Sequence, residues 1–257
     1  MPEECTIMLC YGNTDLGRRR SNNEDTFKTV RYEQPDCTLG LVCDGMGGAA
    51  GGEIASAIAA DTFTATLEKQ LPSLDAASAP QILEDACLAA NSAVFGKAIA
   101  CPSLYGMGST LVGALCLDEA VFVVNVGDSR LYCFSGGELT QITHDHSFVQ
   151  FLVDIGQITP AEAKVNPRRN IISRCIGERD AVEPDLFRID LTGAPADTYV
   201  LLCSDGLTDY LADDAPIAAI LAGDGSPEDK VNALITAAND GGGGDNITAV
   251  LLAPFAQ

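Results

Sequence analysis

Basic residues are scarce in this sequence. Lysine and arginine number 15 against 36 aspartates and glutamates, a formal net charge of −21. Nucleic-acid backbones and anionic membrane surfaces would be repelled by such a chain, so no nucleic-acid or membrane partner is expected. Histidine is scarcer still, with only His144 and His146. Ten cysteines are present but no Cys-x-x-Cys pair, so the ligand spacing of a structural zinc site is missing. Cys43, Cys116, Cys133 and Cys203 lie inside apolar runs, where free cysteine behaves as a small buried hydrophobe. No apolar run approaches the length of a membrane span. The Met-Pro-Glu-Glu-Cys start has neither the basic region nor the apolar core of a signal peptide. A cytoplasmic location, where thiols stay reduced, is therefore expected. No Gly-x-Ser-x-Gly elbow occurs, no cysteine has an evident histidine partner, and no twelve-residue EF-hand loop is found.

What remains is an ordinary globular balance, 47% apolar and 20% charged over 257 residues, long enough to bury a substantial core. Strand-like runs occupy 6–10, 38–43, 109–117, 120–126, 130–134, 139–143, 198–203 and 247–252. Asp118-Glu119 and Ser135-Gly136-Gly137 are short links of the kind that join antiparallel neighbours. Several runs are almost wholly apolar, which suggests sheets covered on both faces. Helical spacing marks Ala55, Ala59, Phe63 and Leu67, with Ile54 and Ile58 beside them. It also marks Ile82, Ala86, Ala89, Ala93 and Val94, and then Val231, Leu234, Ile235 and Ala238. Ser226-Pro227 is a fair helix start. The element order does not alternate strand with helix, so it suits antiparallel sheets with helices outside. Gly241–Gly244 reads as a flexible turn.

Residues 146–180 are too long for a simple loop and carry Lys164, Arg168, Arg169, Arg174 and Arg179. In so acidic a chain this local basicity admits two readings: a flap beside an anionic substrate, or a solvated pair of surface helices.

The main pattern is acidic. Apolar runs end in Cys43-Asp44-Gly45, Val126-Gly127-Asp128 and Cys203-Ser204-Asp205-Gly206, while Gly244-Asp245-Asn246 precedes the last run and Glu24-Asp25 another. A single aspartate at a strand end is usually a turn residue. Several could meet at one rim of an antiparallel sheet, where they would repel one another unless a cation neutralised them. Oxygen-only ligands favour hard ions such as magnesium or manganese, and glycine lets a backbone carbonyl approach an ion. Spacing alone does not show that these acids converge.

The same segments resemble, in order along nearly the whole chain, the motifs of the metal-dependent protein phosphatases, the type 2C serine/threonine phosphatases of bacterial type. They are Gly17-Arg18-Arg19-Arg20-Ser21-Asn22-Asn23-Glu24-Asp25, Asp44-Gly45-Met46-Gly47-Gly48, Gly108-Ser109-Thr110, Val126-Gly127-Asp128-Ser129-Arg130, Thr143-His144-Asp145-His146-Ser147, Asn170-Ile171-Ile172-Ser173-Arg174, Ser204-Asp205-Gly206-Leu207 and Gly244-Asp245-Asn246-Ile247-Thr248. The resemblance implies an α+β fold, a four-layer α-β-β-α sandwich of two antiparallel sheets flanked by helices. It implies one catalytic domain over 1–257 with the flap at 146–180, acting as a monomer. It also implies two to three Mn2+ or Mg2+ ions. Asp44 would bridge two of them, with Asp205, Asp245 and the Gly45 carbonyl completing their sites. Asp128 would help hold a third. Glu24 and Asp25 would hold the ions' waters, and Arg20 the substrate phosphate.

The implied reaction is hydrolysis of phosphoserine and phosphothreonine by direct attack of a water held between the ions. The substrates would be proteins phosphorylated by a serine/threonine kinase. Such ions lower the pKa of water and neutralise phosphoryl oxygens, and an arginine fork suits phosphate. Met46 stands where some relatives carry a histidine acid, Ala49 where many bacterial relatives have histidine, and Ser173 where threonine is commoner. His144 and His146 are expected to be structural, away from the acids, and Arg18 and Arg19 to be surface cations. Rival readings are a phosphatase dedicated to one phosphorylated regulator, a degenerate module that only senses phosphate or metal, and a calcium-binding structural module.

Overall fold

The structure, a computed structural model, describes residues 8–47, 51–211 and 213–254; Ala49 and the start of the first expected strand lie outside them. In chain order the elements are β1 (Met8–Asp15), β2 (Asp25–Glu33), β3 (Asp36–Met46), α1 (Gly51–Gln70), α2 (Ala79–Ala100), β4 (Gly108–Ser109), β5 (Leu111–Leu117), β6 (Ala120–Val126), β7 (Arg130–Ser135) and β8 (Glu138–Gln141). There follow α3 (Phe148–Asp154), α4 (Pro160–Lys164), β9 (Asp185–Asp190), β10 (Tyr199–Cys203), α5 (Asp205–Thr208), α6 (Ala215–Ala222), α7 (Pro227–Asp240) and β11 (Ile247–Pro254). One sheet runs β1-β11-β10-β7-β8 and the other β2-β3-β5-β6-β9, with β4 paired to β3. Every strand pair is antiparallel. Gly136 and Gly137 make the two-residue turn between β7 and β8, both at positive φ, as tight hairpins require.

Period-two alternation sorts the central strands into two apolar faces. On β3, Leu39, Leu41 and Cys43 pack against α1 and α2, with Phe63 and Leu67 of α1 fully buried there. Burying a side chain of that size contributes about 2 kcal/mol. On β10 and β11, Leu201, Cys203, Ala249 and Leu251 pack against α6 and α7. The opposite faces meet each other. Val42, Val112, Val123, Val200, Leu202 and Val250 form a dry seam between the sheets. The result is four layers, α-β-β-α, and the strands of the seam are apolar on both faces for that reason. Ser226 opens α7 as expected, accepting from the Asp229 N–H while the Asp229 carboxylate returns to the Ser226 N–H.

The structure corrects several readings. On α2, Ile82, Ala86 and Val94 are buried as expected, but Leu83, Cys87 and Ala90 complete that face, and Ala89 and Ala93 are only partly covered. Cys133 is only partly buried on β7, while Cys43, Cys116 and Cys203 are buried; no disulfide joins the described cysteines. Gly241–Gly244 is seated rather than free, since the Gly243 carbonyl accepts from the Arg18 N–H at 2.6 Å. The segment between β8 and β9 leaves and returns at neighbouring points, closed by a bridge between Ser147 and Ile172. Within it, Ser147 caps α3 and Thr159-Pro160 with Glu162 caps α4.

Candidate metal centre

The dry seam ends in acid at one rim. Asp44 lies two residues beyond Val42, on the same face of β3. Asp25 stands directly across from it in the β2–β3 register. Ser204 and Thr248 occupy the equivalent seam positions, two residues after Leu202 and two before Val250. Both hydroxyls donate to Asp25 Oδ2, at 2.8 and 2.6 Å. Asp205 opens α5 just past β10, and Asp245 precedes β11. Gly45 can sit where it does only without a side chain, because a Cβ there would collide with the Gly52 carbonyl and crowd that of Glu24. Its N–H donates to the Glu24 carbonyl at 3.0 Å.

A cavity of about 220 Å³ is lined by Asp44, Gly45, Asp205, Asp245, Glu24 and Arg20. Met46 also faces it, as do Asn170 and Ile172 from the 146–180 segment. Asp25 lies buried beneath. Asp128 faces a second cavity of about 290 Å³, which it shares with Asp205, Asn170, Asp209, Lys164 and Arg169. Of the predicted site residues, then, six share one cavity, one underlies it and one stands in the adjoining cavity, joined through Asp205.

Asp44, Asp205, Asp25, Asp128 and Glu24 are held against their preference for charge. Burial raises Asp44 well above the usual range, reinforced by Asp25, Asp205, Asp128 and Asp245. Burial likewise raises Asp205, with Asp128 and Asp209 adding to it. Asp25 is pushed up to about 6 by burial, against the pull of its two hydroxyl donors. Asp128 reaches about 7 through burial and the nearby Asp145. Burial also raises Glu24. Two carboxylate oxygens, Asp25 Oδ1 and Asp128 Oδ1, are buried and accept no hydrogen bond. Such oxygens are costly unless a cation or proton satisfies them.

The donor set is all oxygen, as hard divalent ions require. Among the described residues no three histidine, cysteine, aspartate or glutamate side chains are closed around one ion position. Asp245 is engaged instead by the Arg20 guanidinium at 2.7 Å and the Asn246 N–H at 2.8 Å. Cavity space around partly open carboxylates suits an ion that keeps several of its own waters.

Residues without an assigned chemistry in the sequence complete the rim. Thr110 accepts from the Asp44 N–H through Oγ1 at 2.9 Å and donates its own N–H to the Asp44 carbonyl at 2.8 Å. Asn246 Oδ1 accepts from the Glu24 N–H, and its amide donates to the carbonyls of Leu16 and Asn22. Ser204 and Thr248 could have been found as hydroxyls at apolar seam positions. His144 is exposed and pairs with Asp154 at 2.9 Å. His146 is not remote from the acids: it is buried directly behind Gly127, the neighbour of Asp128. Arg18 pairs with Asp240 at the surface.

Comparison with known proteins shows the family. The model of the family described as protein phosphatase 2C matches residues 17–233. The serine/threonine protein phosphatase PstP of Mycobacterium tuberculosis is 39% identical over 249 residues, covering 96% of this chain but 45% of that protein, so this chain spans about half its length. Among solved structures, the serine/threonine phosphatase Stp1 from Staphylococcus aureus superposes with a TM-score of 0.88 at 37% identity, covering 98% of this chain and 97% of that one. The catalytic domain of PstP in complex with two manganese ions gives 0.82 at 36% identity, covering 97% and 99%. The chain belongs to the protein phosphatase 2C family.

Proposed function

We propose that this chain is a metal-dependent protein phosphatase that hydrolyses phosphoserine and phosphothreonine monoesters. The observation that carries the reading is the gathering of Asp44, Gly45, Asp205, Asp245 and Arg20 around one cavity, with unpartnered carboxylate oxygens on the underlying Asp25 and on Asp128 of the adjoining cavity. Asp44, Asp205, Asp245 and the Gly45 carbonyl would hold two Mn2+ or Mg2+ ions, Asp128 a third, and Glu24 and Asp25 the ions' waters. When bound, such ions make water a better nucleophile and offset charge on phosphoryl oxygens.

The chain's own residues do the rest. Arg20, fixed by Asp245 at one nitrogen, presents a planar donor fork to phosphate. Attack by water in line with the departing serine or threonine oxygen needs no covalent intermediate. That agrees with the thiols, since burial pushes Cys203 up to about 12 and Cys175 to about 11, leaving neither as a thiolate nucleophile. Met46 cannot protonate the leaving oxygen, so that proton comes from water in the site.

Residues 146–180 act as a flap on the single catalytic domain. Support comes from Asn170 and Ile172 at the acidic cavity and from Lys164 and Arg169 at the adjoining one. Arg169 also pairs with Asp209 at 3.2 Å, while the Arg168 guanidinium lies over the Phe148 ring at 4.2 Å. The substrates are proteins phosphorylated by a serine/threonine kinase, met in the cytoplasm by a monomer; no helix among the described residues is long and apolar enough to cross a membrane.

The test is hydrolysis of p-nitrophenyl phosphate and phosphothreonine peptides by the purified chain with manganese or magnesium, then with chelator. Activity with the ions and none with chelator is expected. Inactivity with every divalent ion would leave a phosphate- or metal-sensing module instead.

A further inference from the structure

Asp128 sits in the short connection Gly127-Asp128-Ser129 between β6 and β7. Gly127 has φ +113°, a region where glycine moves freely, so the turn's aim depends on its neighbours. From one side, Ser129 Oγ shares a 2.7 Å hydrogen bond with Thr110 Oγ1, the residue that also holds Asp44. From the other side stands His146, only 6% exposed. Its backbone N–H donates to the Gly127 carbonyl at 3.0 Å, and its ring Nδ1 accepts from the Gly127 N–H at 3.0 Å. Both polar groups of one peptide unit's residue are thus engaged by one histidine.

Acceptance at Nδ1 dictates the rest of the ring's chemistry. A neutral imidazole with a bare Nδ1 carries its proton on Nε2, and Nε2 lies 3.1 Å from Asp185 Oδ2. Arg174 Nη1 is 2.9 Å from the same Nε2, which cannot accept while protonated; Nη1 donates to Asp185 Oδ1 at 2.7 Å and to the Glu183 carbonyl at 2.9 Å. Arg174 lies two residues beyond Ile172, which closes the flap by its bridge to Ser147. A continuous path therefore runs from the flap's C-terminal root through Arg174, Asp185 and His146 to the Asp128 turn.

We infer that His146 is a positioning residue: it fixes the Gly127 peptide, aims Asp128 into the cavity shared with Asp205, and ties that aim to the flap root through Asp185 and Arg174. The inference rests on the ion-binding reading above. Its logic is that of histidines whose far nitrogen is oriented by a carboxylate, except that the near nitrogen here holds a backbone amide instead of a metal.

The experiment compares His146→Asn, His146→Gln, His146→Ala and Asp185→Asn in the full chain. Asparagine keeps an acceptor near the Nδ1 position; glutamine places its amide nearer Nε2. Manganese titration by calorimetry reads ion binding without turnover, and p-nitrophenyl phosphate kinetics read kcat and KM. His146→Ala and His146→Gln should weaken the most weakly bound manganese roughly tenfold and lower kcat by a similar factor with KM unchanged, the size expected for orienting partners of ligand residues. His146→Asn should recover both to within about threefold. If His146→Asn is as impaired as His146→Ala, or if His146→Ala and His146→Gln bind manganese as the wild type does, the inference is overturned. Should His146→Ala not fold, Asp185→Asn, which keeps the ring but removes its anchor, must weaken the same ion; wild-type binding there overturns the coupling. A wild type that binds manganese without hydrolysing anything refutes the phosphatase reading alone. One that binds no manganese refutes both.

Discussion

Val42 and Asp44 occupy the same face of β3, two residues apart, yet they do opposite things to the fold. Val42 is fully buried in the seam between the sheets. It packs there with Val112, Val200, Leu202 and Val250, and the contact stabilises the chain with no ligand present. Asp44 closes the same seam, faces Asp25 across the register and feels Asp205, Asp128 and Asp245. That end of the seam opposes folding until something positive arrives. The difference teaches that the sandwich is a rigid frame whose core supplies the stability that its rim gives up. Sites that must bind charge strongly are commonly built this way, with strain local to the site and compensation elsewhere.

Substitutions at the two positions should separate these roles. Asp44→Ala should lower metal-dependent hydrolysis about 10³-fold, the loss of several kcal/mol of transition-state stabilisation, while the metal-free protein melts no lower than the wild type. Activity within tenfold of the wild type would break the comparison. Acidity offers a second separation. Asp25 and Asp128 have folded values of about 6 and about 7, against about 4 for an unfolded aspartate. Between those limits the folded state binds more protons than the unfolded one. Stability from these groups is therefore greatest at low pH and falls as pH rises through the folded values. Calorimetric scans of the metal-free protein should show melting roughly 5 °C or more lower at about pH 7.5 than at about pH 5.5. Manganese should raise melting more at the higher pH; a flat profile would mean that the rim does not oppose folding.

Val42→Ala is the seam's counterpart. It should cost about 2 kcal/mol in denaturant unfolding and leave kcat of the folded fraction unchanged. Arg20→Ala should raise KM for p-nitrophenyl phosphate about tenfold with little change in kcat, one charge-assisted bidentate contact being worth about that much; an unmoved KM would reject its phosphate role. Smallest of all, replacing Arg168 and Arg169 by glutamine should lower kcat/KM for a phosphoprotein a few-fold while sparing p-nitrophenyl phosphate, since exposed charges act over about 10 Å and are screened by salt. Equal effects on both substrates would remove the flap from substrate recognition.

Much of the frame was legible beforehand because its strands are apolar on both faces, a pattern that few other environments tolerate. α1 and α7 were legible from their spacing, and α7 from its Ser-Pro start. β9 was missed. Its burial alternates strictly along Asp185–Asp190, but it is an edge strand carrying Asp185, Arg188 and Asp190, and it follows the flap without an apolar run to announce it. α6 is short, and its eight residues gave too few turns for a period to be read. At the site, the residue types and motif order named the acids, but the hydroxyls of Ser204 and Thr248 and the ring of His146 acquired a purpose only when neighbours distant in sequence came beside them.

The sequence by itself determined the kind of chemistry available: many carboxylates, few histidines, thiols set in apolar runs, and glycines placed where backbone must come close. Those are properties of composition and local order. Which oxygens stand unsatisfied, which arginine turns inward and which histidine reaches Gly127 were decided by the tertiary structure alone. The reason is physical. Charge repulsion, burial and hydrogen bonding between residues two hundred positions apart depend on distances that exist only after the two sheets have closed on one another.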